Sequence, residues 1–172
     1  KIISILLNLH KDKTEQIFAL NIFLSFIPAA ILGLLFYSRI KELLFSLEVI
    51  SYSLIIGGML IILIEKFAPK KNTYKSVDYI PPKKALYIGF AQTLAMIPGL
   101  SRSGTTIMSS LLLGLNRETA TRYSFFLAIP TISCATIYDI YKNIDIFSSN
   151  DAASISLGFR SEEHTSELQS PD

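Results

Sequence analysis

The chain has 172 residues, 50% of them hydrophobic and 17% charged, with a formal net charge of +2 and a mean hydropathy of +0.42. Its basic residues sit in the connections between apolar runs, so the charge gives no ground for a nucleic-acid partner. A single cysteine, Cys134, excludes a disulfide framework and, inside an apolar run, reads as a buried small hydrophobe.

Half-apolar composition is ordinary for soluble proteins, so the distribution decides. Residues 1–15 begin apolar (IISILL) and turn polar at 10–15 (HKDKTE), the pattern of an ending membrane helix and a loop. Residues 17–37 (IFALNIFLSFIPAAILGLLFY) carry no charge and at helical rise cross a ~30 Å hydrocarbon layer. Pro28, near the middle, is expected to kink this span. Residues 38–41 (SRIK) read as a short connection to a second uncharged run, 49–64 (VISYSLIIGGMLIILI), where Gly57 and Gly58 would let a neighbouring helix approach. A third run, 124–138 (SFFLAIPTISCATIY), contains Pro130. None of the three shows the polar residue at every third or fourth place that a soluble core helix carries, so the chain is read as an integral membrane protein.

The stretch 66–84 holds Lys66, Lys70, Lys71, Lys75, Lys83 and Lys84, with Lys11 and Lys13 two spans earlier and only Arg39 and Lys41 on the other side. That asymmetry places the lysine-rich loop in the cytoplasm as a solvated charge cluster.

Residues 85–115 are apolar enough to enter the membrane but are interrupted at 98–106 (PGLSRSGTT). A Pro-Gly pair breaks a helix, and a break at membrane depth is tolerated only inside protein or facing an aqueous cavity. The arms, 85–97 and 107–115, are each too short to span. They are expected to form a re-entrant helix–loop–helix that returns Arg117 and Arg122 to the basic side.

An arginine at the tip of such a break costs about 2.5 kcal/mol or more if it faces lipid. Arg102 has Ser101 and Ser103 beside it, then Gly104, Thr105 and Thr106, then an apolar helical stretch. The guanidinium can grip two phosphate oxygens, Gly104 lets backbone approach, and helix N–H groups point at an anion. Hydroxyls of Ser101, Ser103 and Thr106 can donate to its remaining oxygens. From the residues alone a second reading stands beside this one, a structural break whose arginine pairs with a carboxylate elsewhere in the bundle.

Residues 88–107 (IGFAQTLAMIPGLSRSGTTI) resemble the signature of the undecaprenyl pyrophosphate phosphatase family, known for bacitracin resistance. The resemblance extends, in order, through 26–36 (FIPAAILGLLF), 57–60 (GGML) and 123–130 (YSFFLAIP), and covers residues 1–159. It implies an all-α polytopic integral-membrane bundle built from inverted repeats with two re-entrant hairpins, in the bacterial plasma (inner) membrane. The implied reaction takes a polyprenyl pyrophosphate lipid to the monophosphate carrier and phosphate, with a divalent cation, Mg or Ca, and the resemblance suggests a homodimer. Carried onto this sequence, Arg102 holds the pyrophosphate and stabilises developing charge. Ser101, Ser103, Thr105 and Thr106 line the pocket, Gly99 and Gly104 shape the loop, and Gln92 hydrogen-bonds toward the site or, equally, in packing.

The family's other motif, paired glutamates before a Ser-Ser-Thr-Gly-His-like stretch, does not occur here. It would supply the metal ligands and the nucleophile or base, so no metal ligand is assigned in this chain; Glu48, Glu65, Glu118 and His10 do not recreate it. The chain opens on Lys1 without a signal-peptide pattern and is expected to be partial, lacking that half and the last helices. Residues 160–172 (RSEEHTSELQSPD) have one Leu, no aromatic residue and four carboxylates. They read as a non-native tail resembling translated sequencing-adapter DNA, and His164 within it is no catalyst. A transporter or flippase with a broken helix, and a non-catalytic scaffold, remain as alternatives. The isolated chain is expected to release no phosphate from a polyprenyl pyrophosphate, which a phosphate-release assay on the purified chain checks.

Overall fold

The computed structural model describes residues 12–44, 46–68 and 74–142, so the expectations for residues 1–11 and for the tail at 160–172 lie outside the described residues. Among the described residues five α-helices follow in order: α1 (Lys13–Leu44), α2 (Leu47–Phe67), α3 (Pro82–Thr93), α4 (Arg102–Leu112) and α5 (Arg117–Lys142). Short 3-10 turns at Val77–Tyr79 and Leu94–Met96 precede and follow α3. Among the described residues the one β feature is an isolated bridge between Tyr74 and Leu115.

Three stretches are long and apolar enough to cross a bilayer, Lys13–Phe36, Leu47–Phe67 and Arg117–Lys142, and this is an all-α membrane protein. α3 and α4, at 12 and 11 residues, are too short to do so. The first span differs from its expected form at its end. α1 runs through Pro28 and on to Leu44, so 38–41 is helix, and the next helix begins at Leu47. Nothing in SRIKELL breaks a helix, whereas Ser46 caps the next one by accepting from Val49 N at 3.2 Å.

α3 and α4 form an antiparallel hairpin closed at its base. Lys84, in the first turn of α3, donates from Nζ to Leu113 O at 2.5 Å and lies 4.5 Å over the Tyr74 ring. Lys84 was expected in a solvated cluster; it is instead half-buried, meeting the carbonyl end of α4, where the helix dipole favours a cation. α4 stops in a Schellman turn, with Leu115 N on Ser110 O (3.1 Å) and Gly114 N on Leu111 O (2.9 Å). The turn requires the left-handed φ of +88° that Gly114 adopts. Tyr74 then pairs with both sides of it, Tyr74 N to Gly114 O (3.2 Å) and Asn116 N to Tyr74 O (3.1 Å). An Arg117–Glu65 ion pair brings the start of α5 to the end of α2. Arg117 therefore returns to the end of the bundle that carries Lys66 and Lys84.

The core is built where α1, α3 and α5 meet. Phe18, Ile80, Ala85, Ile88, Tyr123 and Leu127 are fully buried, and Phe18 meets Phe126 edge-on at 5.1 Å. At the crossing of α1 and α3 backbone meets backbone: a Cβ on Gly89 would stand 2.5 Å from Ser25 O. Buried polar groups stitch the same region. Ser25 Oγ donates to Ala85 O (2.6 Å) and contacts Tyr123 Oη (2.6 Å), which also reaches Asn21 O (2.9 Å). Two hydroxyl protons thus serve three oxygen contacts, all away from water. Asn21 Nδ2 donates to Ile80 O at 2.7 Å.

Cys134 departs from its expected burial and is exposed. Residues 132–137 of α5 are all exposed, because they lie beyond the part of α5 that the core covers. Cys134 ends one compact unit, Lys1–Cys134, and a second begins at Ala135. In the second the described part is the last turns of α5, where Lys142 Nζ lies 5.9 Å over the Tyr138 ring.

Because the obstacle at Gly89 is main chain, Gly89→Val in the full-length gene product is expected to cost about 1–3 kcal/mol of stability. This is read as a lowered thermal midpoint in detergent; an unchanged midpoint would mean that α1 and α3 do not meet this closely.

Candidate functional site

The break between α3 and α4 is narrower than the sequence implied. The interruption was expected at 98–106, but irregular backbone occupies only 97–101, and Arg102–Thr106 already forms the first turn of α4. Ser101 is the reason. Its extended backbone and its Oγ, which accepts from Gly104 N at 3.1 Å, make it the N-cap. Thr105 N and Thr105 Oγ1 both donate to Ser101 O, at 2.9 and 2.8 Å. Ile97 N bonds Leu94 O and Leu100 N bonds Ile97 O, each at 3.1 Å, so the turn satisfies part of its own backbone.

The loop rests on α2. Gly99 has φ +95°, and a Cβ there would lie 2.6 Å from Ile50 O, so both its conformation and its approach demand glycine. The Leu100 side chain presses on Gly57, where a Cβ would stand 2.8 Å from its Cδ2. Gly57 thus receives a loop side chain rather than a neighbouring helix. Gly104 sits inside the first turn of α4, where a Cβ would be 3.1 Å from Ser101 Cβ and 3.2 Å from Ile61 Cδ1.

Arg102 is half-buried. Its Nη1 donates to the main-chain carbonyl of Ser124 on α5 at 3.1 Å, whereas Glu65 and Glu118 pair with Arg117 and Arg122. No described carboxylate pairs with Arg102, so its charge stays uncompensated within the described residues. With one of five N–H groups engaged, the guanidinium keeps donors for a ligand. Ser101 and Ser103 are exposed beside it, their hydroxyl oxygens 3.2 Å apart. The amides of Arg102 and Ser103, the first two of α4, meet no acceptor among the described residues. Together these groups set open amides of a helix N-terminus beside a cation, an arrangement that can hold an anion.

The other named residues fall elsewhere. Thr106 is fully buried; its hydroxyl is shared among Arg102 O (3.0 Å), Ser103 O (3.1 Å) and Ser124 Oγ (2.6 Å), which fastens α4 to α5. Its donor is spent on protein oxygens and does not face a ligand. Thr105 lies at the edge of the open face with its hydroxyl tied to Ser101 O. Gln92 is 2% exposed and donates from Nε2 to Thr131 Oγ1 at 3.2 Å, beside Pro130 of α5, while its Oε1 meets no partner. Ser124 was not singled out from the sequence. It sits in an apolar run and acts on Arg102 through its carbonyl, which every residue possesses, so no sequence signal marks it.

The divalent cation that the resemblance implies finds no fit here. The loop and the first turn of α4 contain no carboxylate, and among the described residues no group of three His, Cys, Asp or Glu could hold an ion.

Fold and site define a helical membrane protein that carries an anion-ready arginine at the tip of a helical hairpin. The chain belongs to the bacitracin resistance protein BacA family, whose model matches residues 1–161. It is 46% identical over 164 residues to the protein named undecaprenyl-diphosphatase of Methylobacillus flagellatus, covering 92% of this chain and 60% of that one. The protein of the same name from Nitrosospira multiformis is 48% identical over 142 residues, covering 83% and 52%. Undecaprenyl-diphosphatase 2 of Shewanella oneidensis is 44% identical over 152 residues, covering 88% and 57%. The chain thus spans between about half and three-fifths of these relatives.

Thr106→Val keeps the side-chain shape but strands the Ser124 hydroxyl. It is expected to destabilise the full-length gene product by about 1–3 kcal/mol, read as a lowered thermal midpoint in detergent. No change would mean that the Thr106–Ser124 contact carries no weight.

Proposed function

We propose that the full-length gene product hydrolyses undecaprenyl diphosphate to undecaprenyl phosphate and phosphate in the bacterial plasma membrane, and that this segment supplies the grip on the diphosphate. The observation that carries the reading is Arg102, bonded to a main-chain carbonyl at 3.1 Å and unpaired by any described carboxylate, beside open amides at the start of α4. The names of the relatives weigh for hydrolysis over transport.

The hairpin is proposed to be re-entrant. Its base is closed by Lys84 and Leu113 at the end carrying Lys66 and Arg117. Arms of 12 and 11 residues rise about 16–18 Å. A base at the membrane surface therefore puts the tip near the middle of a ~30 Å layer. There the low dielectric strengthens each contact between Arg102 and a phosphoryl oxygen.

In the reaction water attacks the terminal phosphorus and the bond to the bridging oxygen breaks, leaving the monophosphate on the lipid. Negative charge collects on the phosphoryl oxygens. The fork of Arg102, the amides of Arg102 and Ser103, and the hydroxyls of Ser101 and Ser103 are placed to hold those oxygens. A divalent cation and the group that activates water belong, in this reading, to parts of the gene product outside this chain, as the missing glutamate motif implies. When bound, the cation would neutralise phosphoryl charge.

Replacing Arg102 tests the proposal in the full-length gene product. Arg102→Ala is expected to lower kcat/KM for undecaprenyl diphosphate about 10²–10³-fold, with normal membrane insertion and thermal midpoint. Arg102→Lys should recover only part of it, because a point charge replaces a planar fork. Phosphate release that survives Arg102→Ala unchanged would overturn the assignment.

A further inference from the structure

Gly57 and Gly58 are adjacent in α2 but answer to different surroundings. Gly57 is held by the loop, since a Cβ there collides with Leu100. Among the described residues nothing stands within 4 Å of a Cβ on Gly58. Gly58 borders a cavity of about 410 Å³ between α2, α3 and α4, within the ~300–1,000 Å³ usual for small-ligand sites.

The walls of the cavity come from apolar side chains, among them Leu54, Ile61, Leu94 and Met108, and no lining residue carries a charge. Its polar side chains are those of Ser101, Thr105 and Ser109, from the cap and first two turns of the helix whose first amides stand open beside Arg102. Ser101 belongs to both, as the cap beside Arg102 and as a wall of the cavity. The space thus reaches the candidate anion site at Ser101, and a molecule filling both must join an anionic head to an uncharged apolar chain. A soluble diphosphate would leave the cavity empty, and a phospholipid acyl chain would fill it without placing two phosphates at α4.

We propose that this cavity takes the head-proximal isoprenoid units of the lipid diphosphate, and that the missing side chain at Gly58 sets the room for them. The inference rests on the reading of function given above and names the part of the substrate that the groove recognises. A side chain at position 58 would project into the space and exclude the tail while leaving Arg102 and the cap untouched.

The test compares undecaprenyl diphosphate with methyl diphosphate, which has the head and no tail, on the full-length gene product. Gly58→Leu is expected to lower the ratio of kcat/KM values, lipid over methyl diphosphate, about tenfold or more. Gly58→Ala, whose Cβ has open space, folds as the wild type and shifts the ratio less, in the same direction. Equilibrium binding of undecaprenyl phosphate reads the groove without turnover and should weaken in the same order. An unchanged ratio with unchanged binding overturns the proposal. So does equal loss on both substrates, which would mean that another helix of the protein occupies the space. If the wild type releases no phosphate from either substrate, the reading of function fails; weaker lipid binding by Gly58→Leu then still supports the groove, and equal binding removes it.

Discussion

An interrupted helix must find hydrogen bonds for the backbone groups that the interruption frees, and the arrangement around α3 and α4 answers to that demand. The interruption is short, 97–101. Ser101 closes it by capping Gly104 N, and Gly99 lays it directly on the backbone of α2. Among the amides left open are the first two of α4, beside Arg102. The groups a ligand could use are thus the remainder after the protein has satisfied itself.

Three devices hold that remainder in place. The base of the hairpin is tied by Lys84 on Leu113 O and by the Schellman turn at Gly114. The tip is held from one side by α2 and from the other by α5, through Thr106, Ser124 and Arg102. Beneath them α1 and α3 meet backbone to backbone at Gly89, with Ser25 and Tyr123 hydrogen-bonded in the dry interior. Exposed ion pairs such as Arg122–Glu118 (2.8 Å) contribute little to this.

The spans were legible because hydrocarbon imposes length and composition directly, and the break was legible because a Pro-Gly pair and an arginine are conspicuous in an apolar run. The edges of the break were not. Ser101 reads equally as a loop residue or an N-cap, and only the second draws Arg102–Thr106 into a helix. Thr106 was read as a ligand donor because hydroxyls near a phosphate site invite it. Which side of a helix a threonine occupies depends on the helix start, and a shift of a few residues turned it toward Ser124. Lys84 looked like one more solvated lysine because no local pattern reveals that a carbonyl end, thirty residues on in the chain, will stop beside it. The first helix runs past 38–41 to Leu44 because charge marks a membrane boundary but does not end a helix.

Arg102 takes its protein partner from the main chain of α5 rather than from a side chain. The carbonyl of Ser124 persists whatever residue stands at 124, so this anchor is insulated from ordinary drift at its own position. It is vulnerable four residues onward, at Ala128, where a proline ring would crowd the carbonyl of residue 124. The bond to Arg102 should therefore be indifferent to the chemistry of the side chain at 124, whose hydroxyl serves Thr106 instead, and sensitive to proline one turn away.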